Sequence, residues 1–342
     1  MNINLKEKEE FFRSMPLFGS LTLSDLDDIV LFAEPFSVEA NTMLFRQGEV
    51  ATGMYFLSNG QVRLYADVPG NDLVELGTVS SGDIVGELSL IDRGPRFTYA
   101  VTLEPTSGYF LSNLQFEMLR SSLRTQALNI MNCFRRKMCD RTRSRIVQIA
   151  ATITTLEGGA IPDSGVQEDK RQLDGATSPL TLDRSMLRSI PLFRIFTPSE
   201  LEEFLSPMQL WDLPRGHILY TEGSPADSCF ITVRGALRTT VYRYGRYEHL
   251  AVYGPSRIVG VLELIDGGSR PTTCAVREQT TLLEMNRSDF ENLSQGGKEI
   301  NFKFFRAINQ ELAFELRKLI CQITRLACQG SRSDGKAWNK EA

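Results

Sequence analysis

Histidine is nearly missing from this 342-residue chain: only His217 and His249 occur. Two imidazoles supply His-based metal sites and His-driven acid–base catalysis poorly. Cysteine is sparse as well. None of Cys133, Cys139, Cys229, Cys274, Cys321 and Cys328 forms a CxxC pair, and secreted disulfide scaffolds are far denser. Cys321 and Cys328 share a helical pattern and read as buried seam residues. No uninterrupted apolar run approaches the roughly 20 residues that cross a bilayer. The start, MNINLKEKEEFF, is charged where a secretory leader needs an apolar core. A cytoplasmic protein without membrane association is therefore expected. The net charge of −4 argues against a chain that is basic throughout, and so against general nucleic-acid affinity. The sequence has no P-loop, triad spacing or metal-ligand cluster, so no enzymatic activity and no metal are expected.

What the chain has instead is an internal repeat. Ser14–Ile29 (SMPLFGSLTLSDLDDI) matches Ser189–Phe204 (SIPLFRIFTPSELEEF). At a nearly constant offset, Phe45–Tyr65 (FRQGEVATGMYFLSNGQVRLY) matches Tyr220–Thr240 (YTEGSPADSCFITVRGALRTT), and Ile84–Arg96 (IVGELSLIDRGPR) matches Ile258–Arg270 (IVGVLELIDGGSR). Each copy opens on a short amphipathic helix with Ser or Thr near its start and acids in its first turn. Short alternating strands follow, among them Met54–Leu57, Val62–Tyr65 and Val74–Val79. Pro69–Asp72 (PGND) reads as a hairpin turn between two of them. Each copy closes on a long helical pattern, Leu114–Leu156 and Phe302–Cys328.

These patterns predict an α+β, mainly β chain of two tandem jelly-roll β-barrels, each flanked by helices and followed by a long C-terminal helix. The expected boundaries are 1–157 for the first domain and 185–329 for the second. A Gly-, Pro-, Asp- and Ser-rich linker at 158–184 separates them, and a polar tail follows at 330–342.

The segment Gly86–Arg96 joins two strand patterns and holds the parts of a small anion pocket. Gly86 lets backbone approach a ligand. Ser89 is short where main-chain N–H groups could face phosphate oxygens. Arg96 offers a planar fork of donors suited to phosphate. Glu87 is an odd neighbour for an anion unless it faces another part of the ligand, such as a sugar hydroxyl.

On these residues the segment resembles the phosphate-binding cassette of the cyclic-nucleotide-binding domain family, which includes bacterial catabolite activator proteins and regulatory subunits of cAMP-dependent kinase. The resemblance spans nearly all of both repeats, including Gly48 and Gly60. It implies that Arg96 grips the cyclic phosphate and Glu87 the ribose 2′-hydroxyl, with Gly86, Leu88, Ser89 and Pro95 shaping the pocket. Phe97 departs from the small residue usual after the arginine. It gives no support for cGMP, so cAMP is the expected ligand, with cGMP as the alternative.

The second cassette keeps Gly260, Leu262 and Arg270 but differs at three positions. Val261 replaces the ribose acceptor, Glu263 replaces Ser89 and brings a negative charge towards an anion, and Pro271 removes an N–H. A lost hydrogen bond to a charged group costs roughly 1.5–3 kcal/mol. Two such losses weaken binding by about a hundredfold or more. The second site is therefore expected to be vestigial, with Arg270 either paired to Glu263 or holding residual anion affinity.

In the first long helix Met138, Thr142, Ile146, Ile149, Ile153 and Leu156 form an apolar stripe, which fits a coiled-coil seam or packing on the module's own barrel. The family resemblance makes Thr142 the base-contact candidate, with Arg141 and Ser144 behind it; a plain seam threonine is the other reading. Arg135, Arg136, Lys137, Arg141, Arg143 and Arg145 oppose only Asp140 and read as a solvated face, or else a docking patch for an acidic partner. Phe305, Ile308, Leu312, Leu316, Leu319, Ile323 and Leu326 form a second stripe, and a two-fold homodimer is expected through one or both helices. The expected function is a non-catalytic cAMP sensor that signals to a downstream protein. The alternatives are a scaffold with both pockets vestigial and a cGMP or cyclic-dinucleotide receptor. A DNA-binding regulator would need a helix-turn-helix that Gly158–Thr181 does not spell. A kinase regulatory subunit would need a longer docking segment before the first module.

Overall fold

A capping box starts the same helix in each copy. Thr22 and Asp25 exchange hydrogen bonds at the start of Leu23–Phe32, and Thr197 and Glu200 do so at the start of Pro198–Leu205. Each box satisfies two backbone N–H groups that the first helical turn leaves without partners. The computed structural model describes residues 5–68, 72–121, 125–156, 182–243, 246–295 and 298–334. The PGND turn at 69–71 and nearly all of the expected linker and tail lie outside the described residues.

The first copy contains α1 (Leu5–Ser14) and α2 (Leu23–Phe32), then β1 (Glu34–Val38), β2 (Met43–Phe45), β3 (Gly53–Asn59), β4 (Gln61–Val68), β5 (Asp72–Ser80) and β6 (Ile84–Val85). It continues with α3 (Glu87–Ile91), β7 (Tyr99–Thr102), β8 (Thr106–Ser112), α4 (Asn113–Ser121) and α5 (Thr125–Leu156). The second contains α6 (Arg184–Ser189), α7 (Pro198–Leu205), β9 (Gln209–Leu213), β10 (Ile218–Tyr220), β11 (Ser228–Arg234), β12 (Leu237–Arg243), β13 (Arg246–Tyr253) and β14 (Ile258–Val259). After these come α8 (Leu262–Asp266), β15 (Thr273–Val276), β16 (Thr280–Asn286), α9 (Arg287–Gln295) and α10 (Glu299–Asp334).

The strands form two four-stranded antiparallel sheets per copy. Their orders are β1-β8-β3-β6 and β2-β7-β4-β5, then β14-β11-β16-β9 and β10-β15-β12-β13. The second pair repeats the first strand for strand, which is the jelly-roll pair expected. Even the irregularities recur. Register shifts at Met43/Phe45, Leu57/Asn59 and Leu64/Tyr65 return at Ile218/Tyr220, Thr232/Arg234 and Thr239/Thr240. A bulge re-aims the strand that carries it, so the repeat preserves the bends as well as the pairing.

The chain divides into two compact units, Met1–Asp140 with Ile320–Ala342, and Arg141–Leu319. These divisions fall inside α5 and α10. In the first unit Phe12, Phe18, Phe56, Phe116 and Phe134 form a chain of ring contacts with centroids 5.1–6.2 Å apart. In the second, Phe193, Phe204, Phe290 and Phe304 do the same at 5.5–6.3 Å.

Several helical expectations are corrected. Leu114–Leu156 is not one described helix but α4 and α5, with 122–124 outside the described residues. Met138, Ile146, Ile149 and Ile153, and all of Phe305, Ile308, Leu312, Leu316, Leu319, Ile323 and Leu326, are buried within the single chain. Cys321 is exposed and Cys328 half-exposed, so neither is a buried seam residue. The basic face of α5 is not wholly solvated either. Arg135 is 4% exposed and burial pushes its pKa down to about 9, while Lys137 pairs with Asp83 at 2.7 Å.

Candidate functional site

Each cassette begins where a short strand ends. After β6, Gly86 turns the chain through the left-handed region (φ 90°) into α3. A Cβ there would stand 2.7 Å from a guanidinium nitrogen of Arg96, so both conformation and space demand glycine. Arg96, 2% exposed, returns beneath this turn. Its Nη1 donates to the Gly86 carbonyl (2.7 Å), its Nη2 to the Gly53 carbonyl (2.5 Å), and the guanidinium lies 4.2 Å from the Phe45 ring centroid. Its backbone is clamped too: the N–H donates to Glu49 O (2.7 Å) and the carbonyl accepts from Gly48 N (2.8 Å).

Arg96 is thus held by neutral acceptors and an aromatic face, with no carboxylate hydrogen-bonded to it among the described residues. Its Nε is buried and has no acceptor there. Burial lowers its pKa, while Tyr55, Glu87 and Glu49 oppose that shift. A buried cation hydrogen-bonded only to neutral carbonyls, with a donor to spare, is chemically suited to an anion. Glu87 is fully buried at the first turn of α3, and Ser89, 4% exposed, donates its hydroxyl to Pro95 O (3.1 Å). Leu88 and Phe97 are half-buried and Pro95 is exposed. The structure therefore assembles Gly86, Glu87, Ser89 and Arg96 in one turn-and-return unit.

The second cassette builds the same cradle and then fills it. Gly260 is left-handed (φ 75°), and a Cβ there would lie 2.3 Å from Arg270 Nη1. Arg270 donates from Nη1 to Gly260 O (3.0 Å) and from Nη2 to Ser228 O (2.6 Å), 4.1 Å from the Tyr220 ring centroid. Gly223 and Ser224 clamp its backbone as Gly48 and Glu49 clamp Arg96. The difference is Glu263. Its Oε2 accepts from Arg270 Nη1 at 3.0 Å, with both side chains 3% exposed. Burial raises the Glu263 pKa, and Arg270 and Arg143 oppose that shift. Val261 and Leu262 beside it are buried and apolar. The chain itself supplies a hydrogen-bonded carboxylate to Arg270, the pairing that one of the two sequence readings describes.

Further groups close this second site. Arg143 is bidentate to Asp266 (Nε–Oδ2 2.5 Å, Nη2–Oδ1 2.9 Å) and also donates to Ser269 O (2.9 Å). From α10, Glu315 accepts from Tyr253 Oη (3.4 Å) and Glu311 pairs with Arg257 (3.4 Å). Burial pushes Glu311 up to about 7 and Glu315 up to about 8, with the charges of Glu263 and Glu311 adding to the second shift.

Thr142 is fully buried, its hydroxyl without a hydrogen-bond partner among the described residues. It belongs to the unit that begins at Arg141, whereas Glu87 and Arg96 belong to the one that ends its first stretch at Asp140. Sequence reasoning missed the aromatic platforms Phe45 and Tyr220. Their signal was present, since they open the matched segments FRQGE and YTEGS. The carbonyl acceptors on Gly53 and Ser228 carry no side-chain signal at all. Among the described residues no group of three or more His, Cys, Asp or Glu side chains is placed to hold a metal, and no helix is long and apolar enough to cross a membrane.

Two tandem β-sandwiches, each with a left-handed glycine and a buried arginine in a carbonyl cradle, define a class of ligand-binding module. The chain belongs to the cyclic nucleotide-binding domain family, whose model matches residues 35–122 and 210–296. It is similar to the CRP-like cAMP-activated global transcriptional regulator of Mycobacterium tuberculosis, at 26% identity over 122 residues, covering 35% of this chain and 54% of that one. It is also similar to the cyclic AMP receptor protein of Thermus thermophilus, at 26% over 156 residues, covering 40% and 72%. The chain thus spans about half the length of the mycobacterial relative. Among solved structures, the regulatory domain of Toxoplasma gondii PKA with cAMP aligns at 18% identity and a TM-score of 0.33, covering 87% of this chain and 95% of that one.

Proposed function

We propose that the chain is a non-catalytic cyclic-nucleotide sensor that binds cAMP at the first cassette and leaves the second closed. One observation carries the reading: Arg96 has only neutral partners, whereas its counterpart Arg270 has the Glu263 carboxylate. In this reading Arg96 takes the cyclic phosphate, assisted by N–H groups around Leu88 and Ser89, and Glu87 accepts from the ribose hydroxyl. Pro95 and Phe97 bound the opening, and Thr142 is the base-contact candidate. The signal passes to a downstream cytoplasmic protein through ligand affinity that differs between two states of the chain.

The test is cAMP binding by the full chain and its Arg96 variants. Arg96→Ala removes the phosphate grip and is expected to weaken binding by at least a hundredfold, since hydrogen bonds to charged groups are worth about 1.5–3 kcal/mol each. Arg96→Lys keeps the charge but loses the fork, and is expected to fall between Arg96→Ala and the parent. Equal cAMP affinity in all three chains would refute the assignment.

A further inference from the structure

The second barrel carries a basic pocket on the face of its sheet away from the cassette. Along β12, Leu237 and Thr239 are buried, and Leu237 joins Ala251, Tyr253, Cys274 and Val276 in the core cluster. Side chains alternate across a strand, so Arg238 stands on the opposite face. Its register partners there are Val252 on β13 and Ala275 on β15. Around Arg238 lies a cavity of about 440 Å3, lined also by Arg215, Gly216, His249, Val252, Val276 and Arg277. Arg270, by contrast, packs over Tyr220, which lies against the core cluster. The two sites are on different faces of the same barrel.

Three arginines in one concave site, in a chain of net charge −4, need an account. Several other arginines of this unit meet carboxylates, as in Arg143–Asp266, Arg243–Glu222, Arg257–Glu311 and Arg287–Glu291, and Arg194 meets the backbone carbonyls of Arg188 and Ser189. Arg215, Arg238 and Arg277 have no carboxylate partner among the described residues. Arg238 Nε is in addition buried without an acceptor, a cost that an incoming oxyanion would relieve. Lys318 adds positive charge nearby, since its Nζ donates to the carbonyl of the pocket residue Val252 (2.7 Å). The cavity volume lies in the range of small-molecule sites, about 300–1,000 Å3, which favours a compact ligand over a strand or a peptide.

We propose that this pocket binds a small diphosphate-bearing anion, with Arg238 at its base and Arg215 and Arg277 at its rim. Three guanidinium groups match the charge of a pyrophosphate group better than that of a single phosphate. The proposal does not depend on cAMP binding at Arg96.

The experiment titrates the full chain with inorganic pyrophosphate, ADP, inorganic phosphate and AMP, with cAMP titrated in parallel. Pyrophosphate and ADP are expected to saturate at one per chain, with phosphate and AMP at least tenfold weaker. Arg238→Gln is expected to weaken pyrophosphate at least tenfold. So is Arg277→Glu, which alters an exposed rim residue and cannot act by unfolding the core. Both variants should leave cAMP affinity unchanged. The proposal falls if pyrophosphate fails to saturate, if phosphate binds as tightly, or if Arg277→Glu binds pyrophosphate like the parent. Failure of cAMP to bind the parent would instead defeat the cassette reading alone.

Discussion

The contrast between the two cassettes comes down to one side chain. Ser89 and Glu263 occupy matching positions in α3 and α8, three residues after Gly86 and Gly260. A serine hydroxyl turned to Pro95 O leaves Arg96 without a hydrogen-bonded carboxylate, and a glutamate supplies Arg270 with one. The internal carboxylate has no translational freedom to lose, whereas a diffusing ligand pays several kcal/mol for association. An outside anion therefore competes poorly for Arg270. The same logic predicts the effect of Ser89→Glu. A carboxylate placed in the first cradle is expected to pair with Arg96 and cut cAMP affinity at least a hundredfold without unfolding the chain. Calorimetry checks the affinity and a thermal melt checks the fold. Undiminished cAMP binding in folded Ser89→Glu protein would show that the position does not face the ligand.

At the scale of elements, α10 places two acids against the second barrel. Glu311 is held near 7 and Glu315 near 8, above the ordinary 4.5. Burial is the first cause of both. Lys318 opposes it at both, Arg257 at Glu311 and the Tyr253 hydrogen bond at Glu315, while the charges of Glu263 and Glu311 add to the Glu315 shift. A raised carboxyl pKa means that the folded state holds the proton more tightly than the unfolded one. The stability this confers is complete below the unfolded pKa and is lost as pH rises through the folded value. Thermal stability is therefore expected to fall from about pH 5 to about pH 8, and Glu315→Gln should flatten that slope. A midpoint that is flat or rising in the parent, or a slope unchanged in Glu315→Gln, would contradict this.

The same scale shows how much the sequence disclosed. Strand positions, the capped helices and the cassette glycines were legible because each rests on local chemistry: alternation, a Thr-x-x-acid box, a backbone that only glycine tolerates. The matched segments also placed Arg270 opposite Glu263 as one of two readings. What stayed hidden depends on long-range packing. The seams of α5 and α10 have the spacing of an intermolecular coil, and spacing alone does not say which surface covers them. Main-chain acceptors such as Gly53 O and Ser228 O leave no trace in side-chain identity. The burial of Arg135 was hidden for a related reason, because a basic run looks solvated until its neighbours are known.

For the whole molecule, duplication has kept the scaffold and divided the chemistry. Both copies retain the same sheet orders, the same bulges and the same arginine cradle. Only in the second is the arginine hydrogen-bonded to a carboxylate. The second is a barrel whose binding residue has become part of its own core, with an acid-rich helix on one side and a basic pocket on another face. The most direct measurement of this division is calorimetric titration of the full chain with cAMP, cGMP and cyclic di-GMP. The account predicts cAMP as the tightest of the three, at one site per chain; two equivalent sites per chain, or no saturable site for any of them, would contradict it.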